Sequence, residues 1–370
     1  MSNPALPFGK RGGSTGSTAA GRRLKWWQQL LAQALCLFIA ATVLFPIMWI
    51  VSMSLDPRNI SRPTELTLVP PGASLDAYLA VLDRPTANPV TFTQLAFNSL
   101  RLAGGVSLFA LLIGVSAAYA FSRFKFPGRQ WMMIGVLAIT VLPAVATIAP
   151  LFALLNGIRI STVALTIALY IAALLAISFG LMIIIPTYRA GAAGPSTWIL
   201  GGVAIGFGLA LGWAGVNPPT GEIFVLRNSL FGVGIAMISG ALPFAIWNLK
   251  GYLDTIPKEL EEAAIIDGAS PNQIFFQIIL PLAVPALAVT GFLGFMGGWT
   301  EFFLSWQFLT RPEDFTLAMA LYNMTGQYAG SVPWSRFAAF SILISLPVAI
   351  IYLMLQRYIV GGLTLGGVKG

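Results

Sequence analysis

Side chains that could do chemistry are scarce in this sequence, and they gather in one stretch. "KELEEAAIIDGASPNQ" holds Glu259, Glu261, Glu262 and Asp267 within nine positions of one another, in a chain with no histidine and a single cysteine, Cys36. That set offers no nucleophile paired with a base and no metal-ligand cluster, so no catalytic and no metal-binding residue is expected. It does offer a surface. Leu260, Ala263, Ala264 and Asp267 recur at i, i+3, i+4 and i+7 and fall on one side of a helix, where the small alanines let another body approach closely. Glu259 and Glu262 form an acidic edge beside that face. Such a helix suits a pocket on a soluble partner; lying on lipid is the other reading, and the glutamates oppose it at an anionic leaflet.

The elements that must position this surface can be read locally. Asp254 or Thr255 can cap, Pro257 suits a first turn, and Lys258 to Asp267 are mostly good helix formers, predicting a helix of about three turns. Gly268 supplies a left-handed stop. Ser270 and Gln273 then form a capping box around Pro271, which opens a second helix. The pattern is helix, tight turn, helix, between two apolar runs.

Those runs set the class. Of the 370 residues 57% are hydrophobic and only 9% charged, with a mean hydropathy of +0.81, against about a quarter charged in soluble proteins. Runs of about 20 apolar residues without strand-like alternation indicate α-helical spans rather than a barrel. They fall at about 29–53, 97–121, 131–155, 161–186, 197–215, 228–249, 282–306 and 337–359. The net charge of +8 does not imply nucleic acid, because the basic residues flank apolar runs instead of clustering on a polar domain. Lys10, Arg11, Arg22, Arg23 and Lys25 precede the first span and Arg123, Lys125 and Arg129 follow the second, while the arginines on the other side are scattered, which predicts cytoplasmic N- and C-termini. Residues 1–28 read as a disordered basic cytoplasmic leader ahead of an uncleaved anchor. Residues 54–96 carry turn signals leading into a short helix after Ser74, and 307–336 combine a turn with a short apolar helix.

Glu262-Ala263-Ala264, three residues, Gly268, nine residues, Ile278, one residue, Leu280-Pro281 resembles the EAA loop of permease subunits in ATP-binding-cassette importers. The flanks "LPFAIWNLKGYLDTIPKELEEAAIIDGAS" and "QRYIVGGLTLGGVKG" are similar to carbohydrate permeases of the MalG-like, maltose/maltodextrin type. The resemblance covers roughly 25–158 and 226–370. It implies an all-α integral membrane protein with the type I importer (MetI-like) fold, made of six core transmembrane helices plus a two-helix insertion at 160–225. Residues 29–370 would then be one permease domain, with the coupling loop at 254–281. By the same resemblance, Leu260, Glu262, Ala263, Ala264, Asp267 and Gly268 would couple to an ATPase, and the terminal Gly366, Gly367, Val368, Lys369 and Gly370 would touch it too.

The partners so implied are a homologous MalF-like permease, a cytoplasmic MalK-like ATPase dimer and an extracytoplasmic sugar-binding protein, in a bacterial or archaeal inner membrane. No G-x-x-x-x-G-K-[ST] run occurs, so ATP and magnesium are expected on the partner ATPase and no cofactor on this chain. Glu301 is the one acid inside a predicted span. Trp299 and Glu301 are therefore candidate translocation-path residues, although holding two helices together is the safer reading of Glu301, and tryptophans such as Trp299 and Trp306 near an outer boundary are usually interface anchors. Gly291, Gly294, Gly297 and Gly298 in that span suit close helix packing. Alternatives are an ion-coupled secondary transporter, which would need intramembrane acids, and a permease for another substrate class.

Overall fold

The computed structural model describes residues 25–58, 60, 68–189, 195–216, 223–325 and 332–366. The chain divides into a unit of residues 1–49 and a unit of residues 50–370. The helix α1 (Trp26–Ser54) is apolar around its whole circumference, with Pro46 inside it. The expected leader at 1–28 falls almost wholly outside the described residues.

In the second unit, α2 (Asp76–Asp83) is the short helix predicted after Ser74. The long α3 (Phe92–Arg123) starts on a Thr91 cap that accepts from the Gln94 N–H. Next come α4 (Arg129–Val141) and α5 (Ala144–Gly157). A single span was expected over 131–155, but the helix breaks at Leu142–Pro143 because proline has no N–H to continue the ladder and disfavours helical backbone before it. A strand β1 (Arg159–Ser161) leads into α6 (Thr162–Arg189) and α7 (Pro195–Val216), and β2 (Ile223–Val225) closes antiparallel on β1 with Ile160 opposite Phe224. These two short strands are a local clip in an otherwise helical fold. They clip together the two ends of the 160–225 segment, so its helices leave and rejoin the chain at one point.

Then come α8 (Leu230–Leu253), capped by Ser229, and α9 (Glu259–Ile266). A helical run follows in three parts: α10 (Pro271–Gln273), a π turn at Ile274–Ile279 and α11 (Leu280–Leu282). That run bends by 71° into α12 (Val284–Trp299). The short α13 (Phe303–Phe308) and α14 (Leu317–Asn323) cap the bundle before α15 (Trp334–Gly366). The expected span over 282–306 therefore ends at Trp299. Five helices are long and apolar enough to cross a membrane, or up to seven spans if each bent pair is one, among the described residues.

Close packing here depends on small residues, as it must where lipid removes the hydrophobic drive between helices. Gly291, Gly294 and Gly298 of α12 lie against Leu111, Ser107 and Ala103 of α3, and the Ser107 hydroxyl donates to the Gly291 carbonyl at 2.7 Å. Gly297 faces open space. The α6–α7 pair is tighter still. A Cβ on Gly208 would stand 2.8 Å from the Ala173 carbonyl oxygen, and one on Gly180 would stand 2.6 Å from the Gly201 oxygen. One buried cluster joins Phe179, Phe207 and Leu211 of this pair to Leu111, Leu253, Ile279 and Leu280 at the helix-turn-helix end. A second, around Leu95, Trp299, Phe308 and Phe340, fills the other end.

Backbone carbonyls cannot move aside for a side chain, so Gly208→Leu should lower the thermal stability of the purified protein by about 1–3 kcal/mol. Gly202→Leu, at a glycine with nothing within 4 Å, should have little effect.

Candidate functional site: the helix-turn-helix between α8 and α12

The polar segment forms the predicted pattern with two corrections. First, α9 has eight residues and its N-cap, Lys258, makes no side-chain cap bond. Asp254 and Thr255 are occupied elsewhere: Asp254 ends α8, and the Thr255 hydroxyl donates to the Tyr252 carbonyl at 2.7 Å. Second, Ala264 is 8% exposed and belongs to the cluster with Ile256, Ile274 and Leu280. A residue sealed in the chain's own core cannot also meet a partner, so Ala264 leaves the expected docking face. The turn is as expected. Gly268 has φ +83°, and Ser270 and Gln273 make the reciprocal capping box.

Leu260, Glu262, Ala263, Asp267 and Gly268 are exposed. With them stand two residues that sequence reasoning missed, Ile265 at 61% and Ile266 at 86% exposure. Their signal was present, since isoleucine beside an acidic run has no polar reason to be there. A patch holding Leu260, Ile265 and Ile266, rimmed by Glu262 and Asp267, is an incomplete interface: apolar centre, charged edge.

The opposite side of α9 is locked down. Arg123, the last residue of α3, donates from Nε to the Glu261 carboxylate, with side chains only 6% and 13% exposed. Arg123 also donates to the Ile256 carbonyl at 3.0 Å and to the Ser122 hydroxyl at 3.1 Å. Ser122 in turn donates to Asp254 at 2.6 Å, and Lys250 of α8 holds the other Asp254 oxygen at 2.5 Å. Tyr119 gives Glu261 a further bond at 3.3 Å. One charge network thus ties the end of α3, the end of α8 and the start of α9. Sequence reading placed Arg123 among the basic residues that follow the second span and Glu261 among the acids of the polar stretch; pairing across 138 positions has no local signal. Burial pushes the Asp254 carboxyl up, but bonds from Lys250 and Ser122 and the charges of Lys250 and Arg123 outweigh it and hold it below the usual carboxylate range.

Downstream, the Leu280 N–H reaches back five residues to the Phe275 carbonyl. Pro281 explains this: it lacks an N–H and its ring crowds the preceding turn, so the helix widens there. The widened turn and the 71° bend both lie between α9 and α12.

The other two candidates are spoken for within the chain. Trp299 is 4% exposed, donates from Nε1 to the Ile344 carbonyl at 3.0 Å and stacks on Phe295, so it packs α12 against α15 and presents nothing to a cavity. Glu301 caps α13, accepting from the Leu304 N–H at 2.5 Å and from the Ser305 N–H and hydroxyl at 3.1 and 2.7 Å. Trp306 is half-exposed beside Tyr322, on which Phe302 stacks. Gly366 ends α15, and Gly367, Val368, Lys369 and Gly370 lie outside the described residues.

Among the described residues, several helices are long and apolar enough to span a membrane, and α9 stands exposed on one side while its other side is braced to the ends of two of them, α3 and α8. Residues 110–363 match the family of binding-protein-dependent transport system inner membrane components, and the chain belongs to that family. It is a transport subunit of an ATP-binding-cassette importer, a multi-pass inner-membrane protein and not an enzyme. The galactooligosaccharides transport system permease protein GanQ of Bacillus subtilis (strain 168) is 30% identical over 341 residues, covering 92% of this chain and 95% of the relative. The maltose/maltodextrin permease protein MalG of Escherichia coli (strain K12) is 29% identical over 344 residues, covering 91% and 94%. A solved bacterial ABC transporter involved in the import of the acidic polysaccharide alginate shares the fold, with a TM-score of 0.58 at 20% identity over 90% of this chain and 96% of that one. Membership of the family implies a second permease, an ATPase and a binding protein as partners.

Arg123→Met or Glu261→Gln alone strands a buried partner and should cost about 3 kcal/mol. In a double-mutant cycle followed by thermal unfolding, the pair should couple by at least about 1 kcal/mol. The lowered Asp254 carboxyl contributes stability that is present above the unfolded value of about 3.9 and lost as pH falls through its lower folded value. Acid unfolding should therefore gain a component below about pH 4 that Asp254→Asn removes.

Proposed function

We propose that this chain is the MalG-like permease of an oligosaccharide importer. It pairs with a MalF-like permease, a MalK-like ATPase dimer that binds the ATP and magnesium, and an extracytoplasmic sugar-binding protein. Both termini are cytoplasmic. The substrate class is carried by relatives named for galactooligosaccharides and maltodextrin, both oligosaccharides with a row of hydroxyls and no obligatory charge.

The observation that carries the coupling role is the two-sided character of α9. One side is fixed to α3 and α8 by Arg123, Glu261 and Asp254, while Leu260, Glu262, Ala263, Ile265, Ile266 and Asp267 stand free. In this reading the ATPase holds the free side and Gly268 sets the angle of the turn. Gly366 to Gly370 are assigned to the same ATPase on the resemblance of the terminal sequence. ATP-driven closure of the ATPase pair moves α9, and the bracing makes the ends of α3 and α8 follow. The bend before α12 converts that displacement into a tilt, and the tilt exchanges access between the two sides of the membrane.

The test uses the assembled transporter in proteoliposomes with its binding protein and maltodextrin. Glu262→Lys combined with Gly268→Pro should abolish sugar-stimulated ATP hydrolysis while leaving the complex membrane-inserted. Full retained stimulation overturns the coupling assignment. Stimulation by a non-sugar ligand of the binding protein, with none by oligosaccharides, overturns the substrate class alone.

A further inference from the structure

The α6–α7 pair stands outside the stretches that resemble the six-span permeases, so the coupling segment of that family does not explain it. Its packing is divided between two sides of the fold. α6 packs on the π turn at Ile274–Ile279 and on α11, whereas α7 packs on α3 and α12. On α6 the buried positions Ala172, Ala176, Phe179 and Ile183 recur at the spacing of one helical face. Phe179 and Ile183, the large members of that face, share a buried cluster with Ile274, Ile279, Leu280 and Ala283. On α7, Phe207 presses into α3, where a Cβ on Gly104 would stand 2.6 Å from its ring. Leu174 and Leu181, on the other side of α6, are exposed.

The hairpin is stiff, and what it packs on is not. Its two helices meet backbone to backbone at Gly180, Gly201 and Gly208, and β1 and β2 hold its base. The π turn, by contrast, carries a widened hydrogen bond from Leu280 to Phe275, is followed by Pro281, which donates none, and leads into the 71° bend before α12. Helices bend at such interruptions. The α6–α7 pair thus reaches from α3, whose end carries Arg123, to the interrupted ladder between α9 and α12.

We propose that α6–α7 is a clamp on this bend, with Phe179 and Ile183 as positioning residues that set the resting angle between the coupling helix and α12. The inference rests on the coupling role assigned to α9 and adds a restraint to it. The bend changes only when the ATPase pair, signalled by the loaded binding protein, parts α6 from the π turn. Helices in lipid attract one another through fit rather than through loss of water, so cutting back the two large side chains releases the contact. A released bend lets α9 move before sugar arrives. The transporter then hydrolyses ATP without its cargo.

The experiment compares ATP hydrolysis by the assembled transporter in proteoliposomes, with its binding protein, in the absence and presence of maltodextrin. Phe179→Ala with Ile183→Ala should raise the sugar-independent rate about fivefold or more and leave the sugar-stimulated rate near that of the wild type, so their ratio falls. Ile279→Ala, on the facing side of the contact, should reproduce the rise, and it decides the matter if the double variant does not assemble. Leu174→Ala with Leu181→Ala, on the exposed side of α6, should change neither rate. A wild-type sugar-independent rate in the assembled Phe179–Ile183 or Ile279 variant overturns the clamp. So does a parallel fall of both rates, which would make the contact mere support. The Glu262→Lys, Gly268→Pro transporter separates the two readings: lost stimulation there with an unchanged sugar-independent rate here sinks the clamp alone, whereas retained stimulation there sinks the coupling role beneath it.

Discussion

The ion pair between Arg123 and Glu261 is the constraint on which the geometry of the polar helix-turn-helix depends. An eight-residue helix has too few internal hydrogen bonds to hold itself, and α9 has no side-chain cap to help it. Its orientation comes from outside. Arg123 closes the end of α3, grips Glu261 and the Ile256 carbonyl together, and reaches Asp254 through Ser122. Ala264 then seals the underside of α9 against Ile256 and Ile274. The helix is in effect a rigid outgrowth of two spans.

The same economy of small residues recurs wherever two spans must move or stay together. Glycines of α12 let α3 approach at Ala103, Ser107 and Leu111, and glycines of α6 and α7 bring those two helices to backbone contact. The pair is clipped at its base by β1 and β2 and shares a buried cluster with α3. Proline supplies the complementary device. Pro143 breaks a span and Pro281 forces the widened turn ahead of the bend, both because a missing N–H leaves the ladder with nothing to donate.

Local rules were enough to read the helix-turn-helix itself. Gly268 must be left-handed and Ser270–Gln273 must cap, because these depend on residues within one turn of each other. Local rules also misassigned residues whose fate is set at a distance. Ala264 shares a helical face with Ala263 in periodicity, yet the neighbouring core took it. For Trp299 and Glu301 the sequence left a pathway role beside a structural one, and the contacts of Trp299 with Ile344 and of Glu301 with Leu304 and Ser305 supply the structural one.

Composition and spacing by themselves determined that this chain spans a membrane as helices and that it carries a polar helix-turn-helix between two spans, since both follow from the cost of burying backbone in lipid and from patterns a few residues long; its likeness to importer permeases came from the resemblance of the motif. Only the tertiary structure decided which glutamate braces and which stands free, and which glycines touch. Those outcomes join residues more than a hundred positions apart, and the energies that select them, desolvation against pairing and cavity against contact, exist only once the helices have packed.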